Sequence, residues 1–195
     1  MQAEQVHHAA AFWTMNYDSV LSRVIARLTD GPFSHMGVAF YDCDGRGEYF
    51  ESLRDEGFVG PRPVDDLIQW GAQKHHKVRI VRLPCSDIAA SRMYETARGW
   101  SRADTRIHYP KTQLFMMALH ERYRIPVPTS TRRAVCSEIV TRLCLIHSVL
   151  SLVAKGTEVD FRDFRRTKAD MVNPNSAWRR MCEMAAGLEE SRIGA

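Results

Sequence analysis

Short alternating segments in the first half of the chain and longer segments of helical period in the second predict an α+β fold with a mostly antiparallel sheet packed against a long helix. The clearest alternation is His35 to Tyr41, with Met36, Val38 and Phe40 on one side and His35, Gly37, Ala39 and Tyr41 on the other. The clearest helical run begins at Cys136, where Ile139, Val140, Leu143, Cys144, His147 and Leu150 fall on one stripe until Gly156 ends the pattern near Lys155. With 195 residues, 45% of them apolar, the chain suits a single domain over 1–195, its core about 17–155 and a helical tail about 156–195.

Taken in order, Val20, Leu21, Val24, Ile25 and Leu28 recur at helical spacing behind Asp18, a good N-cap residue, and Asp30-Gly31-Pro32 stops them. After the His35–Tyr41 strand, Asp44-Gly45 predicts a tight turn into a second strand over Glu48–Leu53. Gly57-Phe58-Val59 reads as a short addition, and Lys77–Leu83, with Val78, Ile80, Val81 and Leu83, as another strand. Ser86-Asp87 opens a helix to about Trp100, and Thr112–Tyr123 forms a further one between Pro110 and Pro126. Beyond Asn173-Pro174, the spacing of Trp178, Met181, Cys182 and Ala185 predicts a last short helix.

Composition narrows the setting. The formal charge of +4 is mildly basic and 22 of the 27 cations are arginine, which leaves room for acidic partners. The basic spots at Arg132-Arg133 and at Arg162, Arg165, Arg166 and Lys168 carry no interleaved aromatics, so no nucleic-acid partner is expected. The opening MQAEQVHHAAAFW lacks the basic start and apolar stretch of a signal peptide, and no apolar run approaches the ~20 residues of a membrane span. Five cysteines without a CxxC pair argue against a disulfide framework and fit a reducing, cytoplasmic setting. His7-His8 and His75-His76 are adjacent pairs at no metal-ligand spacing and read as solvent-exposed side chains, so neither metal nor other cofactor is expected.

Three residues carry the chemistry. Cys136 opens the long helix, where unpaired N–H groups and the macrodipole favour a thiolate, although position alone equally fits a small buried hydrophobe. His35 heads its strand on the face of Gly37 and Ala39, small residues that would let a helix lie close and bring Cys136 to the ring; a structural histidine is the alternative. Glu51 shares a strand face with Tyr49 and Leu53, and an acid among apolar neighbours needs a partner. An imidazole would serve, as would solvent at a sheet edge or one of the many arginines.

Phe33-Ser34-His35-Met36-Gly37, then Tyr49-Phe50-Glu51 before Gly57-Phe58-Val59, then Val135-Cys136-Ser137-Glu138-Ile139-Val140 resemble, in order as well as in type, the permuted NlpC/P60 superfamily. This is the papain-like group with the YiiX/YaeF-like proteins and, more distantly, the lecithin:retinol acyltransferase relatives. The likeness runs from about Tyr17 to Val140, with an echo in the Asn173-Pro174 and Trp178 segment. It implies a circularly permuted papain-like fold, the histidine preceding the cysteine. It also implies Cys136 as nucleophile, His35 as general base and acid, and Glu51 as the residue that orients it. Tyr109 is a candidate second oxyanion donor by family-like position, with an ordinary core or surface tyrosine as the alternative. Ser137 and Glu138 are expected to support the helix start.

The activity so implied is a cysteine peptidase or amidase cutting an amide of a small peptide, an amino-acid conjugate or a cell-wall fragment. Acyl transfer or hydrolysis on a lipid or acyl-amide is a second reading of the same triad. A non-catalytic module binding a small ligand is a third, which predicts a blocked cysteine or a His35 too far from it.

Overall fold

The computed structural model describes residues 1–73, 76–108, 136–147, 175, 178 and 179. Among these the fold is α+β: five antiparallel strands in the order β4-β3-β2-β1-β5, with four helices. The strands are β1 (His8–Asn16), β2 (His35–Tyr41), β3 (Gly47–Leu53), β4 (Gly57–Pro63) and β5 (His76–Arg82). The helices are α1 (Val20–Leu28), α2 (Val64–Ala72), α3 (Asp87–Ser101) and α4 (Cys136–Ile146). The expected helix over Thr112–Tyr123, the Gly156 stop, the basic spots from Arg132 to Lys168, and Met181, Cys182 and Ala185 lie outside the described residues.

Strand β1, which the alternation does not predict, occupies the sheet between β2 and β5. Its segment Ala9–Met15 is buried throughout, so both faces are covered and the run has no polar beat to betray its period. Helix α2 is a second addition, begun after Pro63 with Asp65 and Asp66 in its first turn, where carboxylates complement the macrodipole. Strand β4 is longer than Gly57–Val59 suggests and runs on to Pro63. Ser19, not Asp18, caps α1: its hydroxyl accepts from the Ser22 N–H at 3.2 Å. The Asn16 side chain accepts from the N–H groups of both Asp18 and Ser19, which moves the helix start one residue on.

Each strand of the central hairpin serves two cores. Met36, Val38 and Phe40 join Ala9, Ala11, Trp13 and Phe50 under α3 and α4, where Met93, Tyr94, Ile139, Val140 and Leu143 close the larger core. Ala39, Phe12 and Tyr49 face the other way and meet Val64 and Leu67 of α2. Each large side chain so buried contributes about 1.5–3 kcal/mol.

The nucleophile helix expected against Gly37 and Ala39 therefore lies on the opposite face. Space beside Gly37 is taken by Phe12, whose ring carbon Cζ would stand 2.3 Å from a Cβ at that position. Helix α4 also ends sooner than Lys155, since His147 already stands in a turn, its Nε2 2.9 Å from the Thr96 hydroxyl.

Gly37→Ala is expected to destabilise the protein by about 1–3 kcal/mol, read as a lower urea midpoint at unchanged slope. The added methyl meets Phe12 and also the Phe50 carbonyl at 2.5 Å, which the backbone cannot yield.

Candidate active site

Register decides where the polar groups fall. Gly37 pairs with Glu51 across β2 and β3, and Ala39 with Tyr49, so these residues share one face. His35 lies two residues before Gly37 on that face, diagonal to Glu51. The diagonal is bridged by a hydrogen bond of 3.0 Å between His35 Nε2 and Glu51 Oε2. Their side chains are 21% and 12% exposed, enough burial for the pair to be electrostatically strong.

With Nε2 occupied, Nδ1 is the ring nitrogen left for the thiol, and Cys136 stands within hydrogen-bonding reach of the ring. His35 is the first residue of β2, so a helix on the other face can present its N-terminus past the end of the strand. Two backbone groups complete the sulfur's surroundings, the N–H of Met36 and that of Ser137. Both donate toward negative charge, as do the first N–H groups of α4.

The three titrating groups shift together. Burial opposes the thiolate of Cys136, but the His35 charge and hydrogen bond, with the two N–H groups, outweigh it and hold the thiol below its ordinary range. Burial likewise opposes protonation of His35, yet Cys136 and Glu51 raise it from 6.5 to about 10. Glu51 is pushed up by burial and pulled below its ordinary value by the bond and charge of His35, then by Arg62. Charge on each of the three thus favours charge on the next, thiolate beside imidazolium beside carboxylate.

Two contributors escaped the reading of the sequence. Arg62 donates from Nη1 to Glu51 Oε1 at 3.2 Å and from Nη2 to Glu56 Oε2 at 3.3 Å. Glu51 therefore satisfies both partners that its place in the strand left open, one oxygen to an imidazole and the other to an arginine. Hairpin parity counted from the Gly57 turn would set Pro61 opposite Tyr49, and a register shift between Tyr49 and Glu51 brings Arg62 there instead.

Asn175 is the second. It is buried and accepts from the Phe33 N–H at 2.9 Å, while its amide donates to the Phe33 carbonyl at 2.7 Å and to Thr29 Oγ1 at 2.6 Å. Trp178 rests edge-on against Phe33 and Trp13, with ring centroids 5.0 and 5.3 Å apart. The turn that delivers His35 is thereby held from far along the chain, which no local pattern reveals.

Other candidates separate from this cluster. Tyr109 and His75 lie outside the described residues. Ser137 does not support the helix start through its side chain, because its buried hydroxyl has no partner among the described residues. Its carbonyl accepts from Thr141 Oγ1 at 2.8 Å, and Glu138 pairs with Arg142 one turn on. His8 and His76 are not freely exposed but half-buried, stacked on Tyr41 and Trp70 respectively, whereas His7 is exposed and meets Asp87 at 3.1 Å. Among the described residues no group of three His, Cys, Asp or Glu side chains could hold a metal ion.

Two outcomes follow. Iodoacetamide should label Cys136 rapidly near neutral pH. His35→Ala, which removes the counter-charge and leaves burial, should raise the thiol above an ordinary ~8.5 and slow that labelling by about 30-fold or more. Asn175→Ala should lower stability by about 3 kcal/mol in urea unfolding, since it strands buried groups on Thr29 and Phe33.

Compared with known proteins, the chain matches no family model and no curated protein, so this arrangement of residues is what its function has to be argued from.

Proposed function

We propose that the protein is a cysteine-nucleophile hydrolase of amidase or peptidase type, with a circularly permuted papain-like fold and Cys136, His35 and Glu51 as its triad. The observation that carries the reading is the 3.0 Å bond from His35 to Glu51, which leaves the other ring nitrogen to a thiol lowered at a helix start. An ordinary core cysteine has no such company: Cys144, two turns along the same helix, is pushed by burial up to about 12.

The chemistry follows from the charges. The thiolate attacks an amide carbonyl carbon, forming the C–S bond, and the N–H of Cys136 at the open helix end offers a hydrogen bond to the developing oxyanion. The C–N bond then breaks as His35 gives its proton to the leaving amine. Water then attacks the thioester carbonyl as His35 takes its proton; the C–O bond forms, the C–S bond breaks, and the carboxylic acid leaves with the thiolate and imidazolium restored. Glu51 keeps the ring in the tautomer and rotamer that serve both steps, and Arg62 keeps Glu51 ionised. A small peptide, an amino-acid conjugate or a cell-wall fragment is the substrate class put forward.

The test is a panel of small peptide and aminoacyl p-nitroanilides, with intact-mass detection of an acyl adduct on Cys136. Turnover by the wild type is expected, with Cys136→Ala inactive and Glu51→Gln reduced by about 10²–10⁴-fold. If Cys136 alkylates rapidly yet no amide, ester or thioester acylates it, the hydrolase reading fails.

A further inference from the structure

Helix α1 is amphipathic in the inverted sense. The residue it buries is Ala26, with Ser22 and Ile25 half-buried to the same side, so the helix leans on the body of the protein through only one large side chain. Its other large apolar residues point outward: Val20 is 65% exposed, Val24 46%, Leu28 43% and Leu21 41%. At 100° per residue, Val20, Val24, Leu28 and Leu21 fall within one arc of ~100°, a continuous stripe along the helix. Tyr17, 42% exposed, extends it at the N-terminal end.

The charges beside the stripe have one sign. Arg23 and Arg27 fall next to Val20 and Val24 on the helix wheel, are exposed, and have no ion-pair partner among the described residues. No acid stands in the helix; Asp18 and Asp30 lie beyond its two ends. Aliphatic side chains flanked by arginine, with a tyrosine at the margin, match the acyl boundary and anionic headgroups of a bilayer. A protein partner fits less well, since the centres of such interfaces are rich in aromatic residues and methionine. Among the described residues no helix is long and apolar enough to cross a membrane, so the contact would be peripheral.

We propose that the outward stripe of α1, with Arg23 and Arg27, docks the protein on an anionic lipid surface. The helix ends at Leu28, directly before the turn that leads to His35, so docking would set the candidate active site beside the lipid. The proposal goes beyond the hydrolase reading and does not depend on it.

The test is co-sedimentation of the full chain with vesicles of phosphatidylcholine and phosphatidylserine at about 70:30, against phosphatidylcholine alone. Binding to the mixed vesicles is expected, with Arg23→Ala/Arg27→Ala weakening it about 30-fold and abolishing the preference for the anionic lipid. Val24→Ser/Leu28→Ser should weaken binding to both compositions by about tenfold or more. These side chains are already exposed, so that variant should melt within a degree or two of the wild type. Failure of the wild type to bind, or binding indifferent to the serine variant, overturns the proposal. So does a dimer without lipid that the serine variant dissolves, which makes a second copy the occupant. A marked loss of thermal stability in the serine variant also overturns it, since the stripe would then be covered by the chain's own later residues.

Discussion

Strand β2 has to serve two faces at once, and most of the structure depends on how it does so. Its even residues, Met36, Val38 and Phe40, are committed to the large core under α3 and α4. Its odd residues, beginning with His35, are thereby committed to the face shared with Glu51, Tyr49 and Arg62. A slip of one residue would carry the imidazole into the larger core and force Phe40 into the space where Ala39 packs under α2, so the packing also enforces the register that aligns the polar groups. The geometry of the candidate site and hydrophobic packing are here one constraint.

The electrostatics depend on burial in the same way. In water a thiol near ~8.5 keeps its proton beside an imidazole near ~6.5, and an arginine beside a glutamate contributes little. Buried or half-buried, Cys136, His35 and Glu51 alternate in sign, so charge on each favours charge on its neighbour, and Arg62 adds to the pull on Glu51. The three are coupled and titrate as a set rather than one by one.

Much of this arrangement was legible in the sequence because it rests on local signals. The alternation around His35, the turn at Asp44-Gly45 and the helix behind Ser86 each carry their evidence within a few residues, and the structure has a hairpin and a capped helix there. Strand β1 was hidden because a strand buried on both faces shows no alternation. Placing α4 on the Gly37 face failed for another reason. Small residues signal close approach without saying of what, and here it is the Phe12 ring rather than a helix. The apolar residues of α1 gave a true helix and a misleading face, because periodicity locates a stripe but not the side on which it is covered. Arg62 reaches Glu51 through a register shift that parity does not foresee, and Asn175 acts across the fold, where a sequence has no local pattern to offer.

The grip of Asn175 on the turn before His35 has a temporal side. The two segments are separated by 142 residues, so a nascent chain emerging from the ribosome can pair β1 to β5 and close the α2 core well before residue 175 appears. Until then the Phe33 N–H and carbonyl lack their buried partner and the approach to His35 is unfastened. The sheet can thus be assembled before the turn that delivers His35 is fastened, so the last stretch of the chain sets how firmly the imidazole is held opposite Cys136.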